Sequence, residues 1–184
     1  PLERGEIFVT TGGSEAILFV LGMIADPGDE VLVFEPFYTN YSGFSELVGV
    51  RTVPVTVQPE DGYHLPPRAT IEKCLTDRTR AVILCSPNNP TGTVTPVEEV
   101  RKIAKLAEEH DLIVISDEIY SRLTFGNHKV LPVASIPGCP RACPGPCWPG
   151  PSTSGWRCSK RSSTSRKSPS RRTRSPAGWP PSAT

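Results

Sequence analysis

Three short runs, Val31–Phe34, Arg80–Ser86 and Leu112–Ile115, are apolar along most of their length instead of at every second position. A strand with one wet face alternates apolar and polar residues, so a continuous run asks for cover on both faces. Between these runs the period changes. Ile17, Leu18, Leu21 and Ile24 share one face of a helix expected over Ser14–Ala25. Val100, Ile103, Ala104 and Ala107 share one face of a second helix. Strands and helices therefore alternate, and the expected fold class is α/β: a three-layer α/β/α arrangement around a mostly parallel sheet.

The punctuation agrees. Asp26-Pro27-Gly28-Asp29 reads as a turn. Tyr41–Val48 reads as a short helix stopped by Gly49, and Val50–Val57 as a strand weakened by Pro54. Ile7–Thr10 is a further short apolar run, expected as a strand before Thr11-Gly12-Gly13-Ser14. Thr95 suits an N-cap, Pro96 the first helical position, and Glu98 the far end of a capping box.

Composition divides the chain near Cys139. Residues 1–138 hold all nineteen acidic residues against eleven basic ones, whereas residues 139–184 hold nine basic residues and no acid. The second segment has no Leu, Ile, Val, Phe, Tyr or Met, and only Trp148, Trp156 and Trp179 offer much apolar surface. It cannot offset the entropy of ordering its backbone, so residues 139–184 are expected either to stay without structure or to be an out-of-frame reading. Dropping the first two bases of a permitted back-translation of Ser170–Gly178 gives Lys-Thr-Tyr-Ser-Val-Thr-Gly-Trp, which supports the second possibility.

No run of about 18 apolar residues indicates a membrane span. No basic-then-apolar leader is present, although Pro1 is not an initiator methionine. Cys74 and Cys85 fall in apolar surroundings and read as free thiols, so the expected compartment is the cytoplasm. Cys139, Cys143, Cys147 and Cys158 lack the paired spacing of a metal site, and no metal is expected. The basic Arg157–Arg174 stretch could attract nucleic acid only weakly and without sequence preference, so that partner is not expected.

In a doubly wound sheet, ligands sit beyond the carboxyl ends of the strands. Four polar motifs fall there: Thr11-Gly12-Gly13-Ser14, Glu35-Pro36-Phe37-Tyr38, Asn88-Asn89-Pro90 and Asp117-Glu118-Ile119-Tyr120. Taken singly each has an ordinary structural meaning. The first could be a tight turn before a helix, or glycines that let backbone N–H groups at a helix start approach a phosphate. Asn89-Pro90-Thr91-Gly92 could be a plain turn, Asp117 a helix cap, and Tyr38 a packed aromatic.

Taken together they are more specific. Ser86-Pro87-Asn88-Asn89-Pro90-Thr91-Gly92, followed 24 residues later by Ser116-Asp117-Glu118-Ile119-Tyr120, resembles the class I/II, fold-type I, pyridoxal-phosphate-dependent aminotransferases of the aspartate/aromatic type. The resemblance reaches back through Val9-Thr10-Thr11-Gly12-Gly13 and Asp26-Pro27-Gly28-Asp29-Glu30-Val31. It makes residues 1–138 similar to the central part of such an enzyme. It implies pyridoxal 5'-phosphate as cofactor, with Gly13 and Ser14 holding the phosphate and Tyr38 stacking on the ring. It also implies Asn89 and Tyr120 at the ring hydroxyl oxygen and Asp117 at the ring nitrogen. The implied activity moves an amino group from an amino acid, aspartate or an aromatic one, to a 2-oxo acid, in a homodimer. The same scaffold also carries lyases and synthases.

One catalytic element is out of place. The family's Schiff-base lysine should follow Asp117 by roughly 30–35 residues. Residues 145–155 contain no lysine, and Lys160 lies 43 residues after Asp117 without the expected sequence behind it. The catalytic lysine is therefore read as absent, and the chain as inactive in amino-group transfer.

Overall fold

The computed structural model describes residues 7–126, 130–135 and 142–144. The continuous apolar runs become the inner strands. Helix α1 spans Gly13–Ile24, strand β1 Glu30–Glu35, α2 Asn40–Leu47, β2 Arg51–Thr56, α3 Arg68–Glu72, β3 Thr79–Cys85, α4 Val97–Glu109, β4 Ile113–Asp117 and β5 Ala142–Pro144. All strands pair in parallel, in the order β2-β1-β3-β4-β5.

Two apolar layers explain the runs. Leu32, Phe34, Val82, Leu84 and Val114 pack on one face with Val100, Ile103, Leu106 and Ala107 of α4 and with Ile71 of α3. Val31, Val33, Ala81, Ile83 and Ile115 pack on the other face with Ile17 and Leu21 of α1 and Tyr41 of α2. Neighbouring residues of one strand thus enter opposite layers, as the pleat requires. Both layers are apolar through the middle of the sheet, and the buried polar residues Glu30, Thr79, Ser116 and Asp117 fall toward the strand ends. Pro54 fits because β2 is an edge strand. Gly49 ends α2 with φ +74°, a conformation that glycine adopts without strain.

Two expectations are corrected. Ile7–Thr10 is not a strand; Phe8 and Val9 are 82% and 93% exposed, and no strand among the described residues pairs with them. Thr95 does not cap α4. The N-cap is Pro96, with no side-chain cap hydrogen bond, and the Thr95 N–H instead donates to Ser86 Oγ at 3.0 Å. That bond ties the start of α4 to the end of β3. Glu98 likewise turns outward to Arg101 at 2.6 Å, while Glu99 accepts the Leu65 N–H at 3.0 Å and pairs with His64 at 3.1 Å. Ala142–Pro144 adds a short strand beside β4, and the rest of 139–184 lies outside the described residues, as do Lys160 and Cys139, Cys147 and Cys158. Among the described residues no helix is long and apolar enough to cross a membrane.

The end of the sheet away from the polar motifs holds buried charge. Glu30, 3% exposed, accepts hydrogen bonds from Thr76 Oγ1 (2.6 Å) and Thr79 Oγ1 (3.3 Å) and pairs with Arg51. Burial alone would raise its pKa. The hydrogen bonds from Thr76 and Arg51, with the charge of Arg51, outweigh burial and hold it below the ordinary glutamate value of 4.5. Asp29 is held low in the same way by Arg80 at 2.8 Å. A carboxylate depressed in the folded state contributes stability that is present above its unfolded pKa and lost as pH falls through the folded one. The urea midpoint is therefore expected to fall as pH drops below about 4.5. Glu30→Gln should lower stability at neutral pH by ~1–3 kcal/mol and flatten that acid limb. Parallel acid limbs in the two proteins would show that Glu30 is not its source.

Candidate functional site

The parallel strands deliver three loops side by side. Those after β1, β3 and β4 leave adjacent strands at the same edge of the sheet. They are bonded to one another. Asn88 Nδ2 donates to the Pro36 carbonyl oxygen at 3.1 Å, joining the loop after β3 to the loop after β1. The Ser86 N–H donates to the Asp117 carbonyl oxygen at 3.1 Å, joining the loops after β3 and β4. Glu118 Oε1 accepts from Ser116 Oγ and from the Val133 N–H, both at 2.8 Å, which fixes the Val133–Ser135 turn against β4.

Four of the six residues singled out in the sequence are drawn together here. Asn89 Nδ2 approaches the Tyr120 hydroxyl at 3.4 Å, so the two share one spot. Asp117 ends β4 and is 6% exposed. Its Oδ1 accepts the Ile119 N–H at 3.2 Å, and its Oδ2 accepts the Tyr41 hydroxyl at 2.6 Å. Tyr38 meets Tyr41 edge-on, with ring centroids 5.5 Å apart and planes at 89°. The Tyr38 hydroxyl accepts from Asn40 Nδ2 at 2.6 Å.

Gly13 and Ser14 stand apart. They open α1, whose Ile17 and Leu21 share the apolar layer of Tyr41 and Ile115. No hydrogen bond joins Gly13 or Ser14 to Tyr38, Asn89, Asp117 or Tyr120 among the described residues. The first N–H groups of a helix have no partner within it, and they carry its positive dipole end. Gly12 before them is fully extended, and a Cβ there would meet no atom within 4 Å. Glu15 turns back to accept the Thr11 N–H at 2.7 Å.

Tyr41, Cys85 and Asn88 were not anticipated as site residues. Tyr41 is buried, and its place in the apolar stripe of α2 hides its hydroxyl. The Tyr38-x-x-Tyr41 spacing, which puts both rings on one side of a helical turn, is the signal that could have exposed it. Burial, with Cys85 and the Asp117 carboxylate beside it, pushes the Tyr41 hydroxyl far above the tyrosine range, so it remains a donor. Burial, followed by the Asp117 charge, pushes the Cys85 thiol up to about 11, so it is neutral and unreactive at neutral pH. Cys85 is a buried free thiol, as expected, while Cys74 is only partly buried.

A hollow of about 580 Å³ lies beside this edge, lined in part by His64, Asn89, Gly92, Tyr120 and Phe125. It touches neither Tyr38 nor Asp117. The polar groups therefore form an open face and not an enclosed cavity among the described residues. Among those residues Asp117 has no ion pair, although it is buried. A buried carboxylate with neutral hydrogen-bond donors and no cation suits a cationic ligand atom. Asn89 and Tyr120 offer an amide and a hydroxyl at one spot on this edge, while the first N–H groups of α1 suit an anion. Among the described residues no cluster of His, Cys, Asp and Glu could hold a metal ion.

Residues 1–142 match the profile of the family described as aminotransferase class I and II. The aspartate/prephenate aminotransferase of Thermus thermophilus is 41% identical over 124 residues, which are 67% of this chain and 32% of that protein. The arginine–pyruvate transaminase AruH of Pseudomonas aeruginosa is 40% identical over 137 residues, 74% of this chain and 34% of its own. Among solved structures, the N-succinyldiaminopimelate aminotransferase of Mycobacterium tuberculosis aligns with a TM-score of 0.67 at 41% identity, over 73% of this chain and 35% of that one. The chain spans about a third of the length of the curated relatives it matches.

Proposed function

Because the chain belongs to the class I and II aminotransferases, we propose that its described residues form the cofactor-holding face of a pyridoxal-phosphate-dependent transferase. In its complete form that enzyme moves an amino group from an amino acid to a 2-oxo acid. The observation that carries this reading is Asp117: a buried carboxylate at the carboxyl end of an inner strand, with no ion pair among the described residues.

The residues divide the work. The first N–H groups of α1, at Gly13 and Ser14, would hold the phosphate. Tyr38 would lie against the ring. Asn89 and Tyr120 would hold the ring hydroxyl oxygen. Asp117 would keep the ring nitrogen protonated. The cofactor, when bound, accepts the electron pair released at the substrate α-carbon, and a protonated ring nitrogen strengthens that acceptance. The neutral Tyr41 hydroxyl and the Ile119 N–H would fix the two oxygens of Asp117 toward that nitrogen.

Aspartate or an aromatic amino acid is the proposed donor, and the aspartate/prephenate aminotransferase of Thermus thermophilus supports aspartate. The other relatives are named for arginine and for N-succinyldiaminopimelate. The residues above face the cofactor and leave donor choice to parts of the enzyme outside the described face. A homodimer and a cytoplasmic setting complete the proposal; the free thiols Cys74 and Cys85 support the latter.

Residues 145–155 contain no lysine. We therefore read this chain, as it stands, as binding the cofactor without transferring amino groups. Equilibrium dialysis of the purified chain against pyridoxal 5'-phosphate should show saturable one-to-one retention. Incubation with aspartate and 2-oxoglutarate should give no transfer above that of free cofactor. Failure to retain the cofactor would remove the reading, and transfer above background would remove its second half.

A further inference from the structure

Tyr41 touches both the residue assigned to the ring face and the residue assigned to the ring nitrogen. Its edge abuts Tyr38 at 5.5 Å, and its hydroxyl donates to Asp117 Oδ2 at 2.6 Å. It is 1% exposed, and Phe37 stacks on it with centroids 6.3 Å apart and planes at 13°. The ring is thus clamped on two sides, and its hydroxyl lies against Asp117 and the Cys85 thiol. Asp117, by contrast, ends its strand, and the chain beyond it turns away. Only the Ile119 N–H and the Tyr41 hydroxyl donate to its carboxylate among the described residues.

Resting on the cofactor reading above, we propose that Tyr41 is a positioning residue that aims the Asp117 carboxylate at the cofactor's ring nitrogen. A carboxylate at the end of a side chain rotates about its last bond unless its oxygens are held. With one oxygen tied to Tyr41 and the other to Ile119, the plane of the carboxylate is set before any ligand arrives, which removes an ordering cost from binding. Each oxygen keeps a free lone pair for the ring N–H. Tyr41 acts through Asp117 and does not itself meet the ligand.

Tyr41→Phe removes the hydroxyl and keeps the clamped ring. The test measures the affinity of the full chain, wild type and variant, for two probes. One is pyridoxal 5'-phosphate; the other is its 1-deaza analogue, in which a C–H replaces the ring nitrogen. Tyr41→Phe should weaken pyridoxal 5'-phosphate ~5- to 20-fold and the deaza analogue less than ~2-fold. In an Asp117→Asn background, the same change should alter pyridoxal 5'-phosphate affinity less than ~2-fold. Equal losses for the two probes would assign Tyr41 a merely structural role and overturn the proposal, as would no loss for either or a further loss in the Asp117→Asn background. A wild-type chain that retains neither probe overturns the cofactor reading itself, and this proposal with it.

Discussion

Asp117→Asn is expected to weaken pyridoxal 5'-phosphate binding ~30-fold or more, with folding stability changed by less than ~1 kcal/mol. The loss follows from charge. The wild-type carboxylate is buried and lacks an ion pair among the described residues, so a protonated ring nitrogen would be its cation. Removing one member of a buried pair leaves the other desolvated and unmatched, which typically costs ~2–5 kcal/mol, and each 1.4 kcal/mol is tenfold in affinity. The small effect on folding follows from hydrogen bonding. The amide can place its oxygen toward the Ile119 N–H and its NH₂ toward the Tyr41 oxygen, so both present contacts keep a partner. Dialysis and urea unfolding on the same preparations separate the two quantities. Unchanged affinity would show that Asp117 does not meet the ring nitrogen.

The second large effect is structural. Ile115→Ala should lower unfolding stability by ~2–5 kcal/mol. Ile115 is fully buried on β4 in the layer shared with Ile17, Leu21 and Tyr41. Truncation there removes apolar contacts and leaves a space that an inner strand cannot close by moving. Its side chain lies on the same side of β4 as Asp117, so the vacancy opens beneath the carboxylate and next to its tyrosine. Ile119→Ala, four residues on and 54% exposed, should change stability by less than ~0.5 kcal/mol. Urea midpoints measured with equal m-values decide it. Similar small losses at both positions would mean that the core is not arranged as described.

Much of this architecture could be read from residue order because burial writes directly into periodicity. The runs at Val31–Phe34, Arg80–Ser86 and Leu112–Ile115 had to be covered twice, and they are the inner strands. Gly49 and Pro54 also behave as their chemistry requires. The failures share a cause, which is competition from distant partners. Thr95 and Glu98 make a competent capping box by local rules, yet the Thr95 N–H that Glu98 would accept goes to Ser86. Ile7–Thr10 has strand composition, but a strand is defined by a neighbour, and no described residue supplies one. Tyr41 lies 76 residues from Asp117, so no window along the chain reveals that they touch. The six proposed site residues came from resemblance alone; the contacts that hold four of them in place leave no trace along the chain.

The split of each inner strand between two apolar layers has a consequence for how such a chain can change. Asp117 reaches the Tyr41 side of the sheet because an odd number of residues, Val114 through Ser116, separates it from Ile113, which packs on that side. Deleting or inserting a single residue within β4 would reverse this parity and carry the carboxylate to the α4 side, away from every group it now meets. Paired insertions or deletions would preserve it. Length variation in β4 is therefore restricted to steps of two, while the loops on either side are free of the rule.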